Sequence, residues 1–422
     1  MIFKIKNFGK ISEADIKLDG ITVICGDNNT GKSTVGKALF SFFNALNDYK
    51  NKIYVQKSNQ LVNSLRNYNI NLTINSPYNW VNSERVLGYI SEHNNHFTLN
   101  DVKEFLEPYP FKIPKEKLVS IVDYLNTPEI DILNEYIYRF VSNVMNGQIK
   151  NVYSYGRSDC LISGEFKEFT NTIKIRKQYC KCEIVEPIEY SAYYINTPFS
   201  LDSLNESGMT ALGSNTMNRN VVDAIQKAQA AINEDSMTNI LDSVQNKKDL
   251  DAVMEIIKKA YIGDTMIDHG RYYYMENGIS FDFRNISAGL KSFAIIERLL
   301  ETGVLKKKDV LILDEPEIHL HSEWQIIYAE LIVILQKTFD LTILLVTHSF
   351  QFLESLNFFM QKYEIKDRGN YYIPTQSENG VKIVDGTDNL AKMKESLKSG
   401  MYTLANMKLD ELNGDSDEED NE

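Results

Sequence analysis

Cysteine is scarce: four residues in 422, Cys25, Cys160, Cys180 and Cys182, of which only the last two lie close together. That spacing fits neither a disulfide framework nor a paired metal-binding motif, so reduced thiols in a cytoplasm are expected. No apolar run approaches about 18 residues, which excludes a helical membrane span. The first residues, MIFKIKNFGK, alternate as a strand does and lack the apolar stretch of a secretory leader. No internal repeat is found. Positive charge is also short, with 45 Lys and Arg against 58 Asp and Glu and a net charge of -13. Such a balance argues against indiscriminate coating of nucleic acid, although a local basic face is compatible with it. Much of the excess sits at the end, where Met407–Glu422 holds eight acids against Lys408 alone. The segment GDSDEEDNE has no apolar residue and is expected to be disordered, with solubility the preferred role over nucleic-acid mimicry. The chain as a whole is ordinary for a globular protein, 43% hydrophobic and 24% charged, and long enough for two or three compact units.

Periodicity places elements along the chain. Phe3–Phe8 and Glu13–Leu18 read as paired strands, Ile21–Cys25 as a short apolar strand, and 31–47 as a helix with one buried face. Residues 51–185 are rich in Asn, Tyr and Lys and read as an inserted α+β or helical region. Its expected helices lie near Leu118–Leu125 and Ile130–Val144, and its strands near Val152–Tyr155 and Thr172–Lys177. Segment 186–220 returns to the core through a strand at Ser191–Ile195, and 221–262 is helical. Within 263–360, Arg271–Met275 and Ile279–Phe283 flank Glu276-Asn277-Gly278 as a hairpin. A helix from Ala288, the strand Val310–Leu313, a helix from Glu323 and the strand Leu341–Val346 follow. Residues 361–406 form a C-terminal hairpin and helix, and 407–422 the acidic tail. Strands alternating with helices indicate an α/β fold with a mainly parallel sheet covered on both faces, preceded by the antiparallel N-terminal strands.

Two stretches carry chemistry. Gly26-Asp27-Asn28-Asn29-Thr30-Gly31-Lys32-Ser33 fits the phosphate-binding pattern GxxxxGK[ST] in full, entered by an apolar strand and left by an amphipathic helix, and Asn28, Asn29, Thr30 and Thr34 join its glycines, Lys32 and Ser33 as expected nucleotide contacts. Gly26 and Gly31 permit backbone shapes that aim N–H groups at phosphate oxygens. The helix N-terminus adds partial positive charge. Lys32 is expected at the β- and γ-phosphates and Ser33 at Mg²⁺, which makes ATP and magnesium the expected ligands. Val310-Leu311-Ile312-Leu313-Asp314-Glu315 is an apolar strand ending in two carboxylates. Asp314 suits a magnesium-bound water, and Glu315 a general base worth roughly 10²–10⁴ in rate.

Three further pieces, Ile286-Ser287-Ala288-Gly289-Leu290-Lys291, the His348 that ends Leu345-Val346-Thr347-His348, and Glu315-Pro316-Glu317-Ile318-His319-Leu320-His321, complete a pattern. Together with the phosphate loop they resemble the signature, switch-histidine and D-loop regions of ABC-type ATPases. The likeness is strongest to the branch of RecF, the structural-maintenance-of-chromosomes heads and the ATPase part of OLD nucleases. It covers Met1–Leu46 and Ile279–Leu356. The signature departs from LSGGQ at Ala288 and at Leu290-Lys291. The resemblance implies ATP sandwiched between copies of a homo-oligomer, with Ser287 and Gly289 of one copy capping the γ-phosphate on another and Lys291 adding charge. It gives His348 a hydrogen bond to the γ-phosphate or the attacking water. His319 and His321 lack an evident third metal ligand and are read as D-loop contacts. The glutamine of the family's Q-loop has no clear counterpart; the neighbourhood of Asn196–Phe199 is the expected position.

OLD nucleases follow their ATPase with a nuclease of clustered acids. Here the 74 residues after His348 contain Asp385 and Asp388 but no such cluster, so no effector is expected in the chain. The chain therefore resembles the ATPase sensor or scaffold subunits of antiphage (antiviral defence) systems such as Septu and PARIS. That likeness implies a separately encoded nuclease or toxin as partner. A DNA-repair ATPase and a nucleotide-gated binding module with little turnover are the other readings, and DNA remains a candidate ligand. Lys174, Arg176, Lys177 and Lys181 form a small basic patch, read as a solvated strand face in preference to a nucleic-acid contact.

Overall fold

The structure is a computed structural model that describes residues 1–66, 83–93, 96–107, 113–154, 159–205, 216–234, 240–260, 263–268 and 271–397. The acidic tail 407–422 lies outside these residues. The chain opens with β1 (Ile2–Phe8) and β2 (Ile11–Lys17), paired antiparallel with Phe3 opposite Ile16, and continues into β3 (Ile21–Cys25) and helix α1 (Lys32–Leu46). Apolar residues cover most of the buried face of α1, including Val35, Leu39, Phe42 and Phe43.

Helices α2 (Tyr49–Arg66), α3 (Ser83–Glu92), α4 (Leu99–Leu106) and α5 (Lys115–Leu125) enclose a small core of their own around Leu65, Val86, Ile90, Ile121 and Leu125. Helix α6 (Glu129–Val144) returns to α1. Next come β4 (Cys160–Glu165), β5 (Thr170–Arg176) and β6 (Tyr179–Glu183). These three strands do not stand apart with the helices of 51–185. They extend the main sheet, because β4 pairs antiparallel with β1 along Ile2–Lys6 and buries Ile162 in the same core as Ile5. Of the strand expected at 152–155, residue 155 lies outside the described residues and 152–154 are not a strand: Asn151–Ser154 form a turn in which the Asn151 side chain accepts the Tyr153 N–H at 2.8 Å. Val152 and Tyr153 have strand-forming side chains, yet both are exposed and have no strand partner.

The remaining strands are β7 (Ala192–Ile195), β8 (Asp264–Asp268), β9 (Arg271–Glu276), β10 (Ile279–Asp282), β11 (Val310–Asp314), β12 (Thr342–Thr347), β13 (Gly369–Ser377) and β14 (Gly380–Asp385). Eleven strands form one sheet in the order β6-β5-β4-β1-β2-β14-β13-β3-β12-β11-β7, and β8, β9 and β10 form a second. From β13 to β7 every neighbour is parallel; from β2 to β6 every neighbour is antiparallel. The C-terminal hairpin is not an appendage. β13 lies parallel to β3 and β14 parallel to β2, so the hairpin fills the centre of the sheet.

Alternation along the parallel strands divides the core. Val310 and Ile312 face α1 and α6, whereas Leu311 and Leu313 face the other helices. Those helices include α7 (Thr216–Glu234), α8 (Ile240–Ala260), α9 (Ala288–Glu301), α10 (Ser322–Phe339) and α11 (Phe350–Lys362); a short α12 (Leu390–Leu397) follows the hairpin. Burial on both faces explains the continuous apolar runs of β3, β11 and β12.

Candidate active site

Parallel strands β3, β11 and β12 all end on one edge of the sheet, and each hands over there to a loop that carries polar side chains. After β3, residues Gly26–Gly31 curl before α1 begins at Lys32. Gly31 adopts φ 84°, and a Cβ there would lie 2.9 Å from Ile11, so both backbone shape and space select glycine. Asn29 also takes positive φ, and its carbonyl and side chain receive the Lys10 amine from the β1–β2 turn. Asn28 is exposed, Thr30 donates its hydroxyl to the Asp27 carbonyl at 2.7 Å, and the Thr34 N–H donates to the Gly31 carbonyl at 3.0 Å. The Lys32 amine folds back inside the loop, donating to the Gly26 and Asp27 carbonyls at 2.9 and 2.7 Å. Burial lowers its pKa, opposed by the charges of Glu315, Asp314 and Asp27.

The two sequence-distant halves meet at α1 and β11. Ser33 Oγ donates to Asp314 Oδ1 at 3.1 Å, and Tyr194 on β7 donates its hydroxyl to Oδ2 at 2.5 Å. Burial raises the Asp314 pKa despite these two donors. Tyr194 was not legible as a site residue. It is 1% exposed under α1, where Gly36 leaves room for its ring.

Glu315 follows with φ 53°, a costly conformation for a residue with a Cβ, held by its N–H on the Val346 carbonyl at 2.8 Å. Its carboxylate lies 3.5 Å from Nδ1 of His348, which leaves the end of β12. A third acid completes the group. Glu317 is 3% exposed, accepts from Thr347 Oγ1 at 2.6 Å and from the His348 N–H at 3.2 Å, and stands 3.6 Å from His348 Nδ1. Burial raises its pKa against those bonds. Sequence reading had placed Glu317 only as part of a loop. The expected neighbourhood of Asn196 and Thr197 does lie against this edge, sharing a small hollow with Asp314, Glu315 and His319.

The signature segment begins α9. Ser287 caps it, its hydroxyl accepting the Leu290 N–H at 3.3 Å, and is exposed. Gly289 is buried where a Cβ would come within 3.0 Å of the His319 carbonyl and the Trp324 ring. Lys291 is 1% exposed and turned inward, its amine 2.7 Å from Asp202 and donating to the Arg284 carbonyl at 3.0 Å, so it ties the loop down. His319 packs edge-on against Phe199, and His321 sits at the start of α10 without a side-chain cap. Among the described residues no cluster of three or more His, Cys, Asp or Glu suits a metal ion. In the basic patch, Lys174 and Arg176 both pair with Asp159, at 3.1 and 3.6 Å, and Lys181 pairs with Glu183. No helix among the described residues is long and apolar enough to cross a membrane.

Comparison with known proteins places a family model, the AAA ATPase domain, over residues 1–353. No curated protein matches the chain. Solved structures similar to it include the SMC head domain from Thermotoga maritima, at 9% identity and TM-score 0.36, covering 91% of this chain and 97% of that one. Another is the SmcHead bound to the C-winged helix domain of ScpA, at 11% identity and TM-score 0.42, covering 91% and 96%. A third is the Smc head domain with an extended coiled coil bound to the C-terminal domain of ScpA derived from Pyrococcus furiosus, at 10% identity and TM-score 0.40, covering 96% and 98%.

Proposed function

The chain belongs to the AAA ATPase domain family, and from that membership we propose that it binds ATP with Mg²⁺, hydrolyses it, and assembles with further copies of itself around the nucleotide. The observation that carries this reading is the meeting of Ser33 and Asp314 at 3.1 Å, with Glu315 and His348 alongside. A hydroxyl and a carboxylate are hard oxygen donors of the kind magnesium prefers, so the residues fit the ion. Bound there, the ion would supply positive charge to offset that of the phosphates.

The protein supplies the rest. Lys32 leaves the loop carbonyls for phosphate oxygens, and the backbone from Gly26 to Thr34, including Asn28, Asn29, Thr30 and Gly31, lines the cradle. Glu315 takes the proton of the attacking water, and His348 orients that water or the γ-phosphate. Ser287 and the N-terminus of α9 offer donors to a nucleotide on a neighbouring copy, which supports a sandwich and a homo-oligomer.

The biological role rests on the OLD-like motifs: a sensor or scaffold subunit of a cytoplasmic antiphage system whose separate nuclease or toxin is held or released as ATP turns over. Light scattering and turnover on the wild type and Glu315→Gln test the engine. A mass increase with Mg-ATP, trapped in the variant as turnover disappears, is expected; unchanged turnover would remove Glu315 as the base. Copurification from the native operon tests the role, and the repeated absence of a second protein would defeat it. Salt-sensitive DNA binding that strengthens with ATP would favour the repair reading instead.

A further inference from the structure

Two buried polar atoms beside the proposed water-activating carboxylate have no hydrogen-bond partner: Nδ1 of His348 and Oε2 of Glu317. They belong to side chains already drawn together. Glu317 Oε1 holds the backbone N–H of His348 and the hydroxyl of Thr347, the residue before it, and lies 3.6 Å from the imidazole. Thr347 in turn accepts the Ser349 N–H at 3.0 Å, and Ser349 caps α11 through the Phe352 N–H. One carboxylate therefore fixes the end of β12, the start of α11 and the placement of the ring between them. A carboxylate 3% exposed with one oxygen unpaired is expensive, because a buried acceptor lacking a donor costs about 1–3 kcal/mol and a charged one more. Such a position persists where the group has a task.

We propose that Glu317 is the positioning residue for His348: its carboxylate takes a hydrogen bond from Nδ1–H, which fixes the ring and directs Nε2 to the nucleotide. The reading rests on the ATPase function proposed above. Glu315 also stands near Nδ1, at 3.5 Å, so two carboxylates share one ring nitrogen and their tasks have to be told apart. The division of labour follows from exposure. Glu315 is 28% exposed at the side chain and open to a solvent molecule, whereas Glu317, at 3%, reaches only protein groups. Glu317 thus does not compete for the base role and acts on the reaction through the placement of His348.

The test has two arms on the full chain. Steady-state turnover and fluorescent-ATP binding are measured for wild type, Glu317→Gln, His348→Ala and the double variant. Glutamine keeps an oxygen for Thr347 and the His348 N–H but replaces the unpaired Oε2 with a donor and removes the carboxylate charge beside Nδ1. The expected result is a kcat lower by about 10- to 100-fold, the scale of a misplaced catalytic group, with KM and ATP affinity within about twofold. The double variant should be no slower than His348→Ala alone, since the two residues act as one. Wild-type turnover in Glu317→Gln, or a multiplicative loss in the double variant, would overturn the proposal.

The second arm needs no turnover. Nitrogen NMR of ring-labelled histidine, with His348 assigned by its Ala variant, reports which ring nitrogen carries hydrogen. Nδ1 protonated in the wild type and altered in Glu317→Gln is expected. Nδ1 bare in the wild type overturns the inference even if ATP is hydrolysed. Nδ1 protonated in a protein that never turns over ATP would sink the proposed activity and leave the positioning contact standing.

Discussion

Replacing Tyr194 with phenylalanine removes one buried oxygen from the protein and nothing else. The ring is 1% exposed, packed edge-on against Phe40 at 6.1 Å and closed over by α1 at Gly36, so phenylalanine fills the same space. What is lost is one of the two donors that hold Asp314, the 2.5 Å bond to Oδ2; the Ser33 bond to Oδ1 at 3.1 Å remains. A hydrogen bond to an ionised acceptor is worth about 1.5–3 kcal/mol. If that energy positions Asp314 during turnover, the rate should fall by about 10- to 150-fold, at 1.36 kcal/mol for each factor of ten. The assay is ATP turnover across a magnesium titration, with metal-free nucleotide binding and thermal unfolding as companions. Lower turnover, a higher magnesium requirement and unchanged metal-free binding are expected, because Lys32 and its loop are not touched. A folded Tyr194→Phe protein with wild-type turnover at every magnesium concentration would refute the reasoning, leaving Ser33 and the strand alone to orient the carboxylate.

Other consequences are open to measurement. Asp309 is 5% exposed, and burial pushes its carboxyl to about 6 despite bonds from the Lys306 and Ser191 N–H groups. Because its folded pKa is raised, its contribution to stability is full below the unfolded value of 3.8 and is lost as pH rises through about 6. Thermal midpoints of Asp309→Asn should therefore vary less between pH 4 and 7 (roughly this window) than those of the wild type. Glu330 gathers Tyr363 at 2.5 Å, Lys259 at 2.9 Å and Lys362 at 3.2 Å; burial opposes its ionisation, but these bonds outweigh it and lower the pKa. That stability is present above the unfolded value of 4.5 and is lost as pH falls through the lower folded one. Both lysines are half-exposed, so Glu330→Gln should cost only about 1–2 kcal/mol after screening, read as faster hydrogen exchange in α8. Gly36→Ala places a Cβ 2.9 Å from the Tyr194 ring and 3.1 Å from Ile312, and overpacking of that kind should lower stability by about 1–3 kcal/mol in a denaturant titration.

The parts legible in the sequence were those fixed by neighbours along the chain. The turn of Gly26–Gly31 between an apolar strand and an amphipathic helix, and the acids ending β11, can be read from spacing because their geometry is local. Tyr194 and Glu317 were not legible, since a buried tyrosine and a third acid in a loop gain meaning only when β7, β11 and β12 align. Lys291 shows another gap. A lysine beside a signature serine reads as an anion ligand, and its ion pair with Asp202, 89 positions away, is invisible to spacing. Nor did periodicity carry information about strand order: β4–β6 and β13–β14 alternate as expected, but alternation is silent on which strand lies beside which.

The position of the C-terminal hairpin bears on how the protein is made. β3, which delivers the phosphate loop, has β12 on one side and β13 on the other, partners that leave the ribosome some 320 and 350 residues later. At about 5–20 residues per second, the strand waits roughly 20–70 s for its second neighbour. Until then Ile21-Thr22-Val23-Ile24-Cys25, buried on both faces in the finished sheet, lacks at least one of its two strand neighbours. Nascent chains halted before residue 369 should therefore engage chaperones through this segment, and should release them once β13 and β14 have emerged.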